Sequence, residues 1–99
     1  MGKIIVQVDS EIRELIPEFI RNRQGEIEIL RRLTFRRDFQ SIKILGHSMK
    51  GYAAGYGFHE MSDIGEALER YAIQRDVDEI AYLTDRLVEY LQQIEIVYV

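Results

Sequence analysis

Residues 38–57 read DFQSIKILGHSMKGYAAGYG, and the reading of this stretch decides the fold. Phe39, Ile42, Leu45, Met49, Ala53 and Tyr56 recur at i, i+3, i+6, i+10, i+14 and i+17, which is the spacing of one helical face. Asp38 offers a side-chain acceptor to the helix start, and Gly57 offers a left-handed stop. A helix with one apolar stripe needs other elements to cover it.

The flanking sequence provides them. Upstream, the β-branched run over 3–8 predicts a short strand. Asp9 and Ser10 then supply cap chemistry for a short helix over 11–16, which stops before Pro17 because proline disfavours helical geometry in the residue preceding it. Pro17 itself suits the first turn of a second helix running to about Phe35, with Phe19, Ile20, Ile27, Leu30 and Leu33 facing the core. Gly25 weakens that helix without breaking it.

Downstream, Met61, Ile64, Leu68, Tyr71 and Ala72 mark another helix. Asp76 or Asp78 caps the last one, whose inward residues are Ile80, Leu83, Leu87, Leu91 and Ile94. Residues 95–99 return to β-branched character and are expected to pair with the strand over 3–8. The expected architecture is all-α, an antiparallel four-helix bundle with a short N-terminal helix and short paired strands at the two termini. Its core spans about 11–94 within a single domain of residues 1–99.

Composition narrows the chemistry. The chain has 99 residues, is 46% hydrophobic and 30% charged, and contains one proline, so neither length nor composition points to a second domain. It has no cysteine, which excludes a disulfide framework, a thiol nucleophile and a zinc–thiolate site. No apolar run approaches the roughly 18 residues of a membrane span, and no signal-peptide pattern opens the chain, so a cytoplasmic location without membrane contact is expected. The two histidines are the only side chains that normally titrate near neutrality.

The net charge of −4 hides an asymmetry. Residues 13–50 carry a balance of +4, residues 51–99 one of −7, and residues 1–12 one of −1. Arg31, Arg32, Arg36, Arg37 and Lys43 make one part of the surface basic. Solvated helix faces are the ordinary explanation of such a run; a docking patch for an acidic partner is the sharper one.

On the helical wheel of residues 39–56, His47 lies roughly 150° from the centre of the apolar stripe. It therefore projects to solvent from mid-helix. Lys50 at i+3, Gly51 at i+4 and Ala54 at i+7 share or border its face, and Lys43 lies one turn before it. Gly46, Gly51 and Gly55 each cost about 1 kcal/mol relative to alanine in a helix interior. Close approach of another backbone or a bulky group explains such glycines. Helix–helix packing is a reasonable account of Gly55, but explains Gly51 less well. An idle surface imidazole is the commoner fate of a lone exposed histidine. Here Lys50, Gly51 and the position opposite the core favour a nucleophilic role, with Lys50 offsetting the charge of a transferred phosphoryl group.

His47-Ser-Met-Lys50-Gly51-Tyr-Ala-Ala-Gly-Tyr-Gly57 resembles the signature of histidine-containing phosphotransfer (HPt) domains: His, any residue, an apolar residue, Lys, Gly, two small residues and a later Gly. Met61, Ile64 and Leu68-Glu69 are similar to the spacing of the family's next helix, and the similarity runs from about Ile12 to Leu91. The resemblance implies a four-helix-bundle phosphocarrier rather than an enzyme with its own nucleotide site. His47 is then the phosphoacceptor, Lys50 stabilises phosphoryl charge, and Gly51 leaves room. The implied partners are a response-regulator receiver domain, which supplies the aspartate and Mg²⁺, and a histidine kinase. No cofactor or metal is expected on this chain, and a monomer is expected. Lys43, Ala54 and Phe58 are the candidate partner-docking residues. Tyr52 departs from the pattern, standing where a small residue is usual; its place beside the core stripe allows a packing substitution, and a change to the docking surface is the alternative.

The remaining residues read more plainly. His59 follows the Gly57 break and is a loop or helix-start residue, since a His-Glu neighbour pair lacks chelating spacing. Glu66 and Glu69, like Asp76, Asp78 and Glu79, read as solvated helix surface and caps. Two other functions compete with the phosphocarrier. One is a docking module of the same fold whose His47 is never phosphorylated. The other is a nucleic-acid binder using residues 31–43, which the net charge of −4 opposes.

Overall fold

The computed structural model describes residues 2–99. The chain runs through strand β1 (Ile4–Val8), a short 3-10 helix (Ser10–Leu15), helices α1 (Ile16–Phe35), α2 (Phe39–Tyr56), α3 (His59–Gln74) and α4 (Val77–Gln93), and strand β2 (Ile94–Tyr98). The four α-helices are joined by connections of two or three residues, which forces neighbours to pack antiparallel. The expected bundle is what forms.

Local chemistry explains the boundaries. Asp9 accepts from the Glu11 N–H at 2.9 Å and opens the 3-10 helix. The expected break before Pro17 is instead a change of helix type at Ile16, because a proline in the first turn gives up no hydrogen bond. Asp38 caps α2 twice over: Oδ2 accepts from the Ser41 hydroxyl at 2.7 Å, and Oδ1 from the Ser41 N–H at 3.1 Å. Gly57 ends α2 at φ 94°, and Asp76, not Asp78, caps α4 by accepting from the Glu79 N–H at 3.1 Å.

The core comes from all four helices. Leu30, Ile42, Met49, Ala53, Met61, Leu68, Ile80 and Leu87 are fully buried, with Phe19 and Ala72 close behind. Ile20, Ile27, Leu33, Leu45, Tyr71 and Leu91 pack around this centre, partly buried. Ile16, Thr84 and Tyr90 are buried residues that the sequence pattern did not single out. Thr84 is tolerated there because its hydroxyl donates back to Ile80 O at 2.9 Å.

The terminal strands pair in parallel, with Ile4 opposite Ile94 and Val8 opposite Tyr98. Val99 N–H donates to Val8 O and Ser10 N–H to Val99 O, both at 2.9 Å, so the ladder continues one step past the strands. Four antiparallel α-helices between them return the chain to the end where it began, which lets β2 lie beside β1.

The tightest feature is the crossing of α2 and α3. A Cβ built on Gly46 would lie 2.7 Å from Gly65 O and 2.8 Å from Glu69 N. One built on Gly65 would lie 2.6 Å from Lys50 N and 2.7 Å from Gly46 O. Both glycines are buried, and only residues without side chains allow the two backbones to touch. Ser62 adds a clasp, its hydroxyl donating to Lys50 O at 2.9 Å. This crossing decides what faces His47.

Candidate functional site

His47 follows Gly46 on α2, and its side chain is 72% exposed. Its Nδ1 lies 3.2 Å from one carboxylate oxygen of Glu69 and 3.3 Å from the other. An ionised carboxylate only accepts, so the tautomer that satisfies this contact has its proton on Nδ1, donating to Glu69. The lone pair then sits on Nε2, which has no hydrogen-bond partner among the described residues. Glu69 is more enclosed than the histidine, with 23% of its side chain exposed, and it reaches across from α3 because the glycine crossing brings that helix in.

Lys50 lies one turn beyond His47, as expected, but its ammonium is engaged. Nζ lies 3.1 Å from Glu66 Oε2, with both side chains about half exposed. The two contacts form rungs between antiparallel helices: His47 and Lys50 are three apart on α2, Glu69 and Glu66 three apart on α3. The expectation of an imidazole between two lysines holds on one side, where Lys43 lines the same cleft. A carboxylate also flanks the ring, and the lysine on the C-terminal side is itself paired with another. Reading Glu66 and Glu69 as plain solvated surface missed both, because no periodicity along α2 shows where α3 crosses it.

The glycines divide into two kinds. Gly51 and Gly55 have nothing within 4 Å of a would-be Cβ, so helix packing explains neither of them. The packing role belongs to Gly46, whose partner is Gly65. Gly51 and Ala54 are exposed on the His47 face, leaving a low surface there. On the other side of the imidazole, a cleft of about 330 Å³ is lined by Gln40, Lys43, Ile44, His47, Ser48 and Glu69. Ile44, which lies off the apolar stripe of α2, is 57% exposed and lines the cleft beside the histidine.

Phe58 is not a docking residue. It is 0% exposed and packs on Phe19 with ring centroids 5.1 Å apart. The left-handed turn at Gly57 reverses the chain and carries Phe58 into the core, where the wheel of α2 no longer applies. Lys43 is half-buried at the edge of the cleft, and Ala54 lies at the surface.

Tyr52 faces α1 rather than the histidine. Its hydroxyl donates to Glu26 Oε1 at 2.8 Å, and the Arg23 guanidinium, itself 2.8 Å from that same oxygen, stacks 4.1 Å from the ring centroid. Burial first, and then the Glu26 carboxylate, push the Tyr52 hydroxyl far above its ordinary range. The departure from the small-residue pattern is thus occupied with joining α2 to α1. His59 is the first residue of α3. Among the described residues, no group of three or more metal-ligating side chains is assembled.

The basic run is partly structural. Arg31 lies 3.5 Å from Glu28 and 3.8 Å from Asp85, while Arg37, at φ 60°, donates to Thr34 O and Phe35 O at the end of α1. No helix is long and apolar enough to cross a membrane among the described residues.

Residues 14–96 match the family model described as Hpt domain. No curated protein and no solved structure matches the chain.

Proposed function

The chain belongs to the Hpt domain family, whose name denotes histidine phosphotransfer, and we propose that it is a phosphocarrier whose acceptor is His47. One observation carries this reading. An exposed imidazole has its Nδ1 3.2 Å from the Glu69 carboxylate, an arrangement that favours the tautomer whose Nε2 presents its lone pair to an incoming partner.

The chemistry follows from that geometry. A receiver aspartyl phosphate approaches with its phosphorus in line with Nε2. The Nε2–P bond forms as the bond between phosphorus and the bridging aspartyl carboxyl oxygen breaks, and the carboxylate leaves with the bonding pair. Nδ1 keeps its proton, so the ring becomes cationic as the dianionic phosphoryl group arrives. The Glu69 carboxylate stabilises that ring charge by a charge-assisted hydrogen bond. The reverse step returns the group to an aspartate. Positioning and charge stabilisation account for the catalysis, as in other phosphoryl transfers, and Mg²⁺ comes with the receiver. Lys50 offsets phosphoryl charge, and Gly51 keeps the approach open.

The receiver docks over Gly51 and Ala54 on one side and the Lys43–Ile44 cleft on the other. Lys43 supplies a cation for an acidic surface, and Ile44 supplies an exposed apolar contact. The test is phosphoryl uptake from a radiolabelled, phosphorylated receiver domain. The wild-type chain should acquire acid-labile label and His47→Gln should acquire none. Label on His47→Gln at the wild-type rate would overturn the assignment.

A further inference from the structure

Lys50 presents a difficulty that its spacing from His47 does not reveal. A cation meant to meet an incoming phosphoryl group is already paired, at 3.1 Å, with Glu66. Counting His47 as neutral, the group of His47, Lys50, Glu66 and Glu69 carries one positive and two negative charges before any phosphate arrives. A dianion entering that group gains an ammonium contact only if Lys50 changes partner.

The geometry favours such a change. Lys50 and Glu66 have 46% and 52% of their side chains exposed, so water screens the pair and little holds it together. A phosphoryl group offers more charge and three acceptor oxygens to the same ammonium. Glu66 has a fixed base, because it follows Gly65 at the point where the two helix backbones touch. Lys50 has a flexible four-carbon stem whose base is fixed by the same crossing and by the Ser62 clasp on its carbonyl. Both ends are anchored at the backbone, and the half-exposed side chains can part and re-pair.

We infer that Glu66 is a positioning residue that holds Lys50 aside in the free protein and competes with the phosphoryl group for it, thereby setting how readily His47 is loaded. The inference rests on His47 being the acceptor. It assigns Glu66 a role different from that of Glu69, which acts on the imidazole directly. It also accounts for a carboxylate placed where it opposes the charge of the group being carried: it keeps loading reversible by limiting how firmly Lys50 holds the product.

The experiment uses the full chain and phosphoramidate, a small donor that needs no partner protein. The donor's P–N bond breaks as the Nε2–P bond forms, ammonia leaves with the bonding pair, and Nδ1 keeps its proton. Loading rates are followed by ³¹P NMR for wild type, Glu66→Gln, Lys50→Met and the double variant, with far-UV circular dichroism confirming the fold of each. Glu66→Gln should load about threefold faster than wild type, the scale of one exposed ion pair. Lys50→Met should load more slowly, and adding Glu66→Gln to it should recover clearly less than threefold, only what the loss of one repulsive charge gives. Two results overturn the inference while leaving His47 as acceptor: Glu66→Gln loading no faster than wild type, or the same threefold gain appearing in the Lys50→Met background, which would make Glu66 a plain repulsive charge. A wild-type chain that takes no phosphoryl group on His47 from phosphoramidate overturns this inference, and the phosphocarrier reading falls with it only if uptake from a phosphorylated receiver fails as well.

Discussion

Gly46 and Gly65 stand backbone to backbone where α2 crosses α3, so close that a Cβ on either would meet the other's carbonyl oxygen at 2.7 Å. The residue after each glycine belongs to the site: His47 after Gly46, Glu66 after Gly65. Chain register at one contact thus sets which side chains of α3 can reach those of α2. Moving the crossing by a turn would pair His47 with a different residue.

Alanine at either position should therefore damage both fold and function. The clashing atoms are backbone, which cannot rotate away, so the helices must separate. Gly46→Ala or Gly65→Ala should destabilise by about 1–3 kcal/mol, beyond any gain in helix propensity. Urea unfolding measures this, and at about 4–8 °C per kcal/mol in a domain of this size a thermal melt will resolve it. Unchanged stability in both variants would mean that the helices are not in contact there.

Gly51 should behave in the opposite way. Its would-be Cβ meets nothing within 4 Å, so Gly51→Ala should raise stability by up to about 1 kcal/mol through helix propensity alone. Gly51→Leu should keep the fold yet slow phosphoryl exchange with a receiver by at least about tenfold, because the side chain occupies the partner's approach. Exchange at the wild-type rate in Gly51→Leu would remove the clearance role.

Glu69 should matter through the imidazole. Glu69→Gln keeps an acceptor but loses the charge, which lowers the strength of the bond to Nδ1 by about half. Transfer should fall about fivefold, and Glu69→Ala, which leaves the tautomer unspecified, should lower it further. Rates from a labelled receiver decide it, and a Glu69→Ala variant as fast as wild type would refute the hydrogen bond's role.

These residues also show where reading the sequence succeeds and where it stops. The exposure of His47 was legible because helical period is a local property, and the stripe from Phe39 to Tyr56 defines its direction within one element. Glu66 and Glu69 were not, because their relation to His47 depends on a contact 19 residues away in sequence, between Gly46 and Gly65. Gly46 looked like a mid-helix penalty until its neighbour was known. Phe58 is expected at the docking surface but is buried, because the left-handed turn at Gly57 ends α2 and turns the next residue into the core. The strands were legible as strands from their β-branched residues, but their parallel pairing follows only from the return of α4 to the starting end.

Asp38 makes stability depend on pH at the start of α2. The Ser41 hydroxyl, and then the Ser41 N–H, hold its carboxyl below the ordinary value of 3.8. A carboxyl whose value is lowered on folding stabilises the fold above its unfolded value, and that contribution is lost as pH falls through the folded one. Asp38→Asn should thus be less stable than wild type at pH 7, with the gap narrowing as pH drops below about 3.8. Urea titrations at pH 7 and pH 3 test the sign, and a gap that widens in acid would contradict it.

Tyr52 and Tyr90 form the last contrast, since burial pushes both hydroxyls up and only one of them has a partner. The Tyr52 hydroxyl donates to Glu26 at 2.8 Å, whereas the Tyr90 hydroxyl is buried with no hydrogen-bond partner among the described residues. Removing a satisfied hydroxyl forfeits its bond, while removing an unsatisfied one relieves a desolvation penalty. Tyr52→Phe should therefore lower stability by about 1 kcal/mol, and Tyr90→Phe should raise it by about the same amount. Because Tyr52 faces α1, its variant should exchange phosphoryl groups at the wild-type rate, which separates a packing role from a role at His47. Thermal melts of the two variants should move in opposite directions. A Tyr90→Phe melt below that of wild type would show that the hydroxyl is satisfied after all, and a Tyr52→Phe chain that folds well but transfers slowly would bring Tyr52 into the site.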